Sequence, residues 1–480
     1  MYNQINSSEK NYKTEKMKTN RIYLLLLVVS VPFLLVSCFA AKDYERPEVV
    51  NEANYRTDNL PQDTLSMATV SWKDIFTDPI LQNYIEEGLN NNMDIRIALQ
   101  QIAIAEAYVK QGKAGYFPTL NGTATAAYQE FSESSQFGNL SSANQFEVAG
   151  GLSWEADIWG KIRSTKRASD ATYLQTVAAH QAVKSRLVAN IAATYYQLLA
   201  IDEQIRVTEE TIETRSKGLE TTIALKDAGN VTEVGVKQTE AQFYTAQAIL
   251  IDLKTQSRLV ENTLSILLGS APQRITRSTL DDQIMNIPLQ TGVPFQLLSN
   301  RPDVIAAEYN LINAFELTNV ARSNFYPSLT LSANGGLQSL ELDKLFNLNS
   351  LFATVVGGLT QPIFNSRKIK TQYEVSQAQQ EQALLQFKYA LLVAGKEVSD
   401  AMYSIEAASE KITVKENEND AYSLATDYSQ ELLDNGLVNY LEVLTAEERA
   451  LVSSLDLVAA KNSRLQAIVD LYEALGGGWR

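Results

Sequence analysis

Apolar and polar positions alternate along four short stretches of this chain. After Pro118, the residues Leu120, Gly122, Ala124, Ala126 and Tyr128 alternate with Thr119, Asn121, Thr123, Thr125 and Gln129. After Pro327, Leu329, Leu331, Ala333 and Leu337 alternate with Ser328, Thr330, Ser332 and Asn334. A polar loop and a second alternating stretch follow each. In the first case Phe146, Val148, Leu152 and Trp154 alternate with Gln145, Glu147, Ser153 and Glu155. In the second, Leu351, Ala353, Val355 and Leu359 alternate with Phe352, Thr354, Val356 and Thr360. A period of two over about ten residues predicts a strand with one apolar and one polar face. The length and pattern match a transmembrane β-strand. Alternation alone fits a soluble sandwich with one water-facing side equally well.

The rest of the pattern is helical. No proline lies between 119 and 271 or after 362, so two very long stretches allow unbroken elements. Over 161–228 the only glycine is Gly218, and Ile191, Leu198, Ile205, Ile212 and Leu219 recur every seven residues. That spacing predicts a coiled-coil seam. Val398, Ile405 and Ile412 keep the same register farther along, before Asn419 and Thr426 break it. A helix over 161–228 would extend about 100 Å at 1.5 Å per residue. Gly229 and Gly436 sit where these helices should end, because glycine tolerates the left-handed backbone of a helix stop. A return helix is expected over 231–268 and again over 438–475. Helices over 80–115 and 303–324 lead into the strand pairs.

The chain is therefore written twice. An offset of 209 lays Leu89, Asp94, Ala105 and Pro118 on Leu298, Asp303, Ala314 and Pro327. An offset of 207 carries Gly151, Tyr196, Gly229, Glu240 and Gly269 onto Gly358, Tyr403, Gly436, Glu447 and Gly476. Each copy is a β-hairpin joined to a long helical hairpin, and a repeated unit points to a pseudo-symmetric assembly. The expected organisation is a signal peptide over 1–37, a lipidated linker over 38–71, a first repeat over 72–269, a second linker over 270–297 and a second repeat over 298–480. The first repeat holds a β-hairpin at 118–157 and a helical hairpin at 161–268. The second holds them at 327–364 and 366–475.

Composition narrows the class. A net charge of −15 opposes nucleic-acid binding, which needs the opposite sign. No run of 18 apolar residues lies in the body of the chain, so a helical membrane protein is excluded. One cysteine, Cys38, and one histidine, His180, leave no disulfide framework or thiolate metal cluster within a chain. His180 lies in a helical stretch and reads as a helix-surface residue, and no convergent catalytic set is present, so an enzyme is not expected. At the amino terminus Lys16, Lys18 and Arg21 precede an apolar run over 22–36, which is the plan of a secretory signal. Met17 looks like a natural start. The run closes on Leu35, Val36, Ser37 and Cys38, which resembles a bacterial lipobox. Covalent lipid on Cys38 and attachment to the outer membrane are expected, several acyl chains anchoring firmly where one would not. No other cofactor and no metal site is expected.

Four strands cannot close a barrel, and open sheet edges are not tolerated in lipid. Several chains must pool their strands if these span a membrane. Two chains would give eight strands, filled by their own side chains; three would give twelve, with room for a lumen. The helical hairpins would continue the wall as a duct.

Five motifs, in order, carry a family resemblance from about Trp72 to Trp479. They are Trp72-Lys73-Asp74-Ile75-Phe76-Thr77-Asp78-Pro79, then Trp154-Glu155-Ala156-Asp157-Ile158-Trp159-Gly160-Lys161-Ile162-Arg163, then Asn300-Arg301-Pro302-Asp303-Val304, then Gln361-Pro362-Ile363-Phe364-Asn365, and finally Leu475-Gly476-Gly477-Gly478-Trp479. The chain resembles the TolC-like outer-membrane factors, in the lipoprotein branch that serves resistance-nodulation-division efflux pumps. The resemblance implies an α+β membrane protein of TolC-like fold. It further implies a homotrimer with a twelve-strand barrel in outer-membrane lipid and a helical periplasmic tunnel. Its partners would be a periplasmic adaptor and an inner-membrane pump.

By resemblance, Gly229 and Gly436 mark the helical tips, and the adaptor would meet Asn230, Leu437 and Val438. Two inward-facing acidic positions of the family fall on Glu442 and Thr445, so the acidic ring of the pore gate would be a single layer. A locking arginine of some members corresponds to Val438, which cannot form that salt bridge. Glu442 also fits a capping box with Asn439, and both readings stand. The function implied is a passive exit duct for small molecules and drugs. Nothing resembles a phosphate loop, so energy would come from the partner pump. A duct for type I protein secretion or heavy-metal efflux is the nearest alternative, and a structural coiled-coil lipoprotein without a pore is an alternative of another class.

Overall fold

The structure, a computed structural model, describes residues 41–48, 66–132, 142–283 and 296–480. The expected signal peptide and Cys38 lie outside the described residues. Among the described residues, seven helices of 13 residues or more and four strands follow in order: α1 (Pro79–Asn91), α2 (Met93–Ala114), β1 (Thr119–Glu130), β2 (Ser142–Ala156), α3 (Lys161–Asp227), α4 (Glu233–Leu267), α5 (Pro302–Ser323), β3 (Ser328–Ser339), β4 (Leu351–Thr360), α6 (Lys368–Asp434) and α7 (Tyr440–Ala474). The duplication is quantitative. Helices α3 and α6 both have 67 residues, α4 and α7 both have 35, α2 and α5 both have 22, and β1 and β3 both have 12.

The leading helix of the first repeat is broken where the sequence suggested one continuous helix over 80–115. Asn92 leaves helical geometry, with ψ 136°. Its Oδ1 accepts from the amides of Asp94 at 2.8 Å and Ile95 at 3.3 Å. Its Nδ2 donates to the Leu267 carbonyl at 2.9 Å. A side chain that caps a new helix start satisfies amides that would otherwise be orphaned, so the chain restarts as α2 without an unpaired donor.

The chain divides into two compact units. The first holds the strands, with the flanking ends of α2, α3, α5 and α6. Its sheet has the order β1-β2-β3-β4, antiparallel throughout. Two residues of the second sequence motif, Asp157 and Trp159, set the corner where β2 turns into α3. Both carboxylate oxygens of Asp157 accept helix-start amides, from Ile162 at 2.8 Å and Arg163 at 2.9 Å. The buried Trp159 ring stacks on Tyr326 at 4.8 Å between centroids, and its indole N–H donates to the Pro327 carbonyl at 2.7 Å.

The second unit carries the main core, built on Tyr195, Tyr196, Tyr472, Phe76, Leu198 and Leu199, all below 2 % exposed. Asp78 caps α1 through the Ile80 amide at 2.8 Å and accepts from Tyr195 at 2.7 Å and Gln283 at 3.1 Å, and from Ser278. Burial opposes ionisation of Asp78, yet hydrogen bonds from Ser278 and Tyr195 outweigh it and hold the carboxyl below its ordinary range. Arg301, from the third sequence motif, forks onto Asp303 at 2.6 and 3.0 Å, reaches Glu397, and donates to the Ala474 carbonyl at 3.1 Å. It thereby ties the start of α5 to α6 and to the end of α7. The terminal glycines close this knot. Trp479 donates to the Asn300 carbonyl at 3.1 Å, and Ser185 donates to the Gly477 carbonyl.

Candidate channel wall and gate

The pairing register decides which side chains share a face. Leu120 lies opposite Leu152, Leu152 opposite Ala333, and Ala333 opposite Val355. The same register aligns Ala124, Val148, Leu337 and Leu351. All four apolar sets of the sequence therefore fall on one face. Asn121, Gly151, Asn334 and Thr354 align on the other, with Thr125, Glu147 and Gln338 beside them. Among the described residues, every residue of β1 is exposed, as are Leu351, Val355 and Leu359 of β4, while β2 and β3 between them are mostly half-buried. A soluble sandwich would bury one face against a second sheet, and the described residues form one four-stranded sheet. Among the described residues, strands β1 and β4 each leave one edge without a partner. Among the described residues no helix is long and apolar enough to cross a membrane.

In the second unit the helical hairpins end in matching stops. Gly229, at φ 87°, donates to the Lys226 carbonyl at 2.9 Å, and Asn230 to Leu225 at 2.9 Å. Gly436, at φ 70°, donates to Leu433 at 2.9 Å, and Leu437 to Leu432 at 2.9 Å. These are two Schellman motifs, in which the left-handed glycine lets the last carbonyls find donors. Leu437 is exposed and Val438 half-buried.

Just beyond the second stop, Asn439 caps α7 by accepting from the Leu441 amide at 2.9 Å. The Glu442 amide lies 3.2 Å from the Asn439 carbonyl, but the Glu442 carboxylate makes no return bond among the described residues. The Asn439 side chain thus caps the helix at Leu441 rather than at Glu442, so the expected capping box is not formed and the cap does not use the Glu442 side chain. Glu442 and Thr445 are both exposed and one turn apart, and with Tyr422, Ala425 and Arg449 they line a shallow depression. The repeat counterpart of Glu442 is Gly235. There a Cβ would meet Val231 at 2.6 Å and the Tyr440 ring at 2.9 Å, so only the second hairpin has room for an acid.

Sequence reasoning missed half of the coiled-coil seam. Ile191 and Leu198 are fully buried as expected, but farther along α3 the most deeply buried row is Ile201, Thr208, Arg215 and Thr222. That row is the second core position of the same heptads. It is largely polar, so an apolar count passes over it. Arg215 is 3 % exposed and donates to the Gln242 carbonyl at 2.7 Å, while its Nε and the Gln242 Oε1 have no partner among the described residues. Burial pushes the Arg215 guanidinium down against the pull of Glu447 and Glu448, and burial pushes Glu447 up against Arg215. The signal available in the sequence was a seven-residue spacing, from Ile201 to Thr222, offset by three from the apolar one. His180 lies on α3, half-buried, and the described residues hold no cluster of three His, Cys, Asp or Glu able to bind a metal.

Amphipathic strands with free edges and long paired helices with glycine stops, twice in one chain, are the features of a TolC-like outer-membrane factor. The sequence model of the outer membrane efflux protein family matches residues 84–270 and 293–477, and the chain belongs to that family. It is an outer-membrane channel of an efflux system. Among its relatives, the cation efflux system protein CusC of Escherichia coli O6:H1 is 26% identical over 458 residues, covering 95% of this chain and 99% of the relative. The probable outer membrane lipoprotein SilC of Salmonella typhimurium is 26% identical over 462 residues, covering 95% and 99%. The solvent efflux pump outer membrane protein SrpC of Pseudomonas putida is 27% identical over 453 residues, covering 93% and 96%. A crystal structure of CusC superposes with a TM-score of 0.82 at 25% identity, covering 91% of this chain and 99% of that one.

Proposed function

We propose that three copies of the chain pool their strands into a twelve-strand barrel in the outer membrane, through which small molecules and drugs leave passively. The observation that carries this reading is the register. It separates an apolar from a polar face across all four strands and leaves both faces and both edges unsatisfied in one chain. An edge in lipid must be paired, and the polar face needs water. Purified protein in planar bilayers is expected to show discrete, cation-favouring conductance steps. Silence under all conditions, with gate variants included, would favour a stalk over a duct.

The helical tips at Gly229, Asn230, Gly436, Leu437 and Val438 would receive a periplasmic adaptor coupled to an inner-membrane resistance-nodulation-division pump. The exposed Leu437 offers that partner an apolar contact. Glu442, freed from capping duty, would form a ring of like charges with Thr445 beside it, and such a ring favours cations. Glu442→Ala is expected to weaken pore block by divalent cations with helix content unchanged. A fall in helicity at constant block would return the residue to a capping role.

Cys38 would carry the lipid. Cys38→Ser is expected to remove labelling by a fatty-acid tracer, and persistent label would end the lipobox reading. The cargo is proposed as small organic molecules. Relatives named for cation and for solvent efflux align equally well along the chain, so metal ions are the second cargo class to assay in transport experiments.

A further inference from the structure

The edges of the sheet carry enough information to specify how they meet. We propose that β4 of one copy pairs with β1 of the next in the register that the internal repeat dictates, placing Ile363 opposite Leu120, Leu359 opposite Ala124 and Val355 opposite Tyr128 of the second copy. This rests on the pooled-barrel reading but goes beyond it, because pooling alone leaves the register open.

The derivation uses the duplication. Strand β1 maps onto β3 by 209 residues and β2 onto β4 by 207. The hairpins obey this rule. Thr119 opposite Ser153 becomes Ser328 opposite Thr360, and Ala126 opposite Phe146 becomes Gly335 opposite Ala353, as observed. The β2–β3 seam joins the first repeat to the second. A β4–β1 seam between copies is the same junction, one repeat farther along. The observed seam pairs Ala156 with Leu329, Leu152 with Ala333 and Val148 with Leu337. Advancing each β2 residue by 207 and moving each β3 residue back by 209 gives the three pairs proposed.

Two independent features agree with this register. First, the five of these residues that lie within the paired strands, Leu120, Ala124, Tyr128, Val355 and Leu359, fall on the apolar face that the internal register defines. A slip of one residue would turn one strand's apolar set toward the water side. Second, the register runs three residues past the end of β4 at Thr360. It thereby gives a strand neighbour to Ile363, which is 98% exposed in the single chain.

Cysteine pairs test the register in the full-length protein. Directly opposed Cα atoms in an antiparallel pair lie about 4.5–5.5 Å apart, within the span of a disulfide. A two-residue slip adds nearly 7 Å along the strand. The double variant Leu359→Cys/Ala124→Cys is expected to shift from monomer to covalent multimers under mild oxidation. Leu359→Cys/Gly122→Cys and Leu359→Cys/Ala126→Cys are expected to stay monomeric on denaturing gels. The single variants control for Cys38. Because β1 and β4 lie at opposite edges of the sheet, such a bond joins two copies. Linking at Gly122 or Ala126 instead, or no linking in a protein whose native mass is oligomeric, would overturn the register while leaving the pooled barrel intact. A monomeric native mass in a bilayer mimic would remove the pooled barrel itself.

Discussion

Val148→Arg abolishes insertion of the barrel, whereas Glu147→Arg, the next residue along the same strand, leaves it in place: that contrast is the largest effect expected. Val148 sits on β2 between Ala124 and Leu337, in the middle of the apolar face. An arginine facing lipid near the bilayer midplane costs about 2–4 kcal/mol, and three copies would raise this to about 6–12 kcal/mol per assembly. Glu147 faces the other way, opposite Thr125 and Gln338, where an arginine meets water. Heat-resistant oligomer in outer-membrane fractions is the readout. Equal loss in both variants would show that the two faces are not differently solvated.

Gly476→Ala is the second. Gly476 holds φ 90°, and a Cβ there would lie 2.3 Å from the Asn300 carbonyl oxygen and 2.9 Å from the Arg301 amide. Left-handed backbone costs a side chain about 1–2 kcal/mol, and forcing an atom into packed surroundings costs about 1–3 kcal/mol more. The neighbours that would have to move are backbone, and they hold Arg301 onto Asp303 and Glu397. A loss of about 2–5 kcal/mol is expected on these grounds. Gly436→Ala is the control, since Gly436 has φ 70° but nothing within 4 Å of the added Cβ. It should lose only the backbone part. Thermal unfolding of both variants in detergent measures the difference, and equal midpoints would mean that the knot around Asn300 yields freely.

The architecture was largely legible in the sequence, for identifiable reasons. Strands with one wet and one dry face must alternate, and the rows through Leu120, Val148, Leu331 and Val355 largely do so, although Ala127, Ala149, Phe352 and Val356 interrupt the polar face. Helices α3 and α6 could be drawn at full length because no proline interrupts them and glycine stops them at Gly229 and Gly436. Other features lay beyond pattern reading. The break at Asn92 depends on a carbonyl at Leu267, which is 175 residues away. The buried row of Thr208, Arg215 and Thr222 keeps a seven-residue spacing but is polar, so the spacing does not mark it as core and the packing of partner helices does. Arg301 stood out within a motif, but its link to Glu397 spans 96 residues. The fold-forming contacts of that motif are therefore tertiary, and local propensity carries no trace of them. At the proposed gate, sequence left Glu442 divided between two roles. Geometry narrows them, because the cap bond goes to the Leu441 amide and the carboxylate is left exposed.

A cysteine scan along β3 and β4 in reconstituted bilayers addresses the shared, water-filled barrel most directly. Single cysteines at Ser332, Asn334, Thr354 and Val356 are expected to react with a membrane-impermeant maleimide, and those at Leu331, Ala333, Ala353 and Val355 to resist it and respond to lipid-borne quenchers. Uniform reactivity on both sets, or uniform protection, would contradict a sheet with lipid on one side and an aqueous lumen on the other.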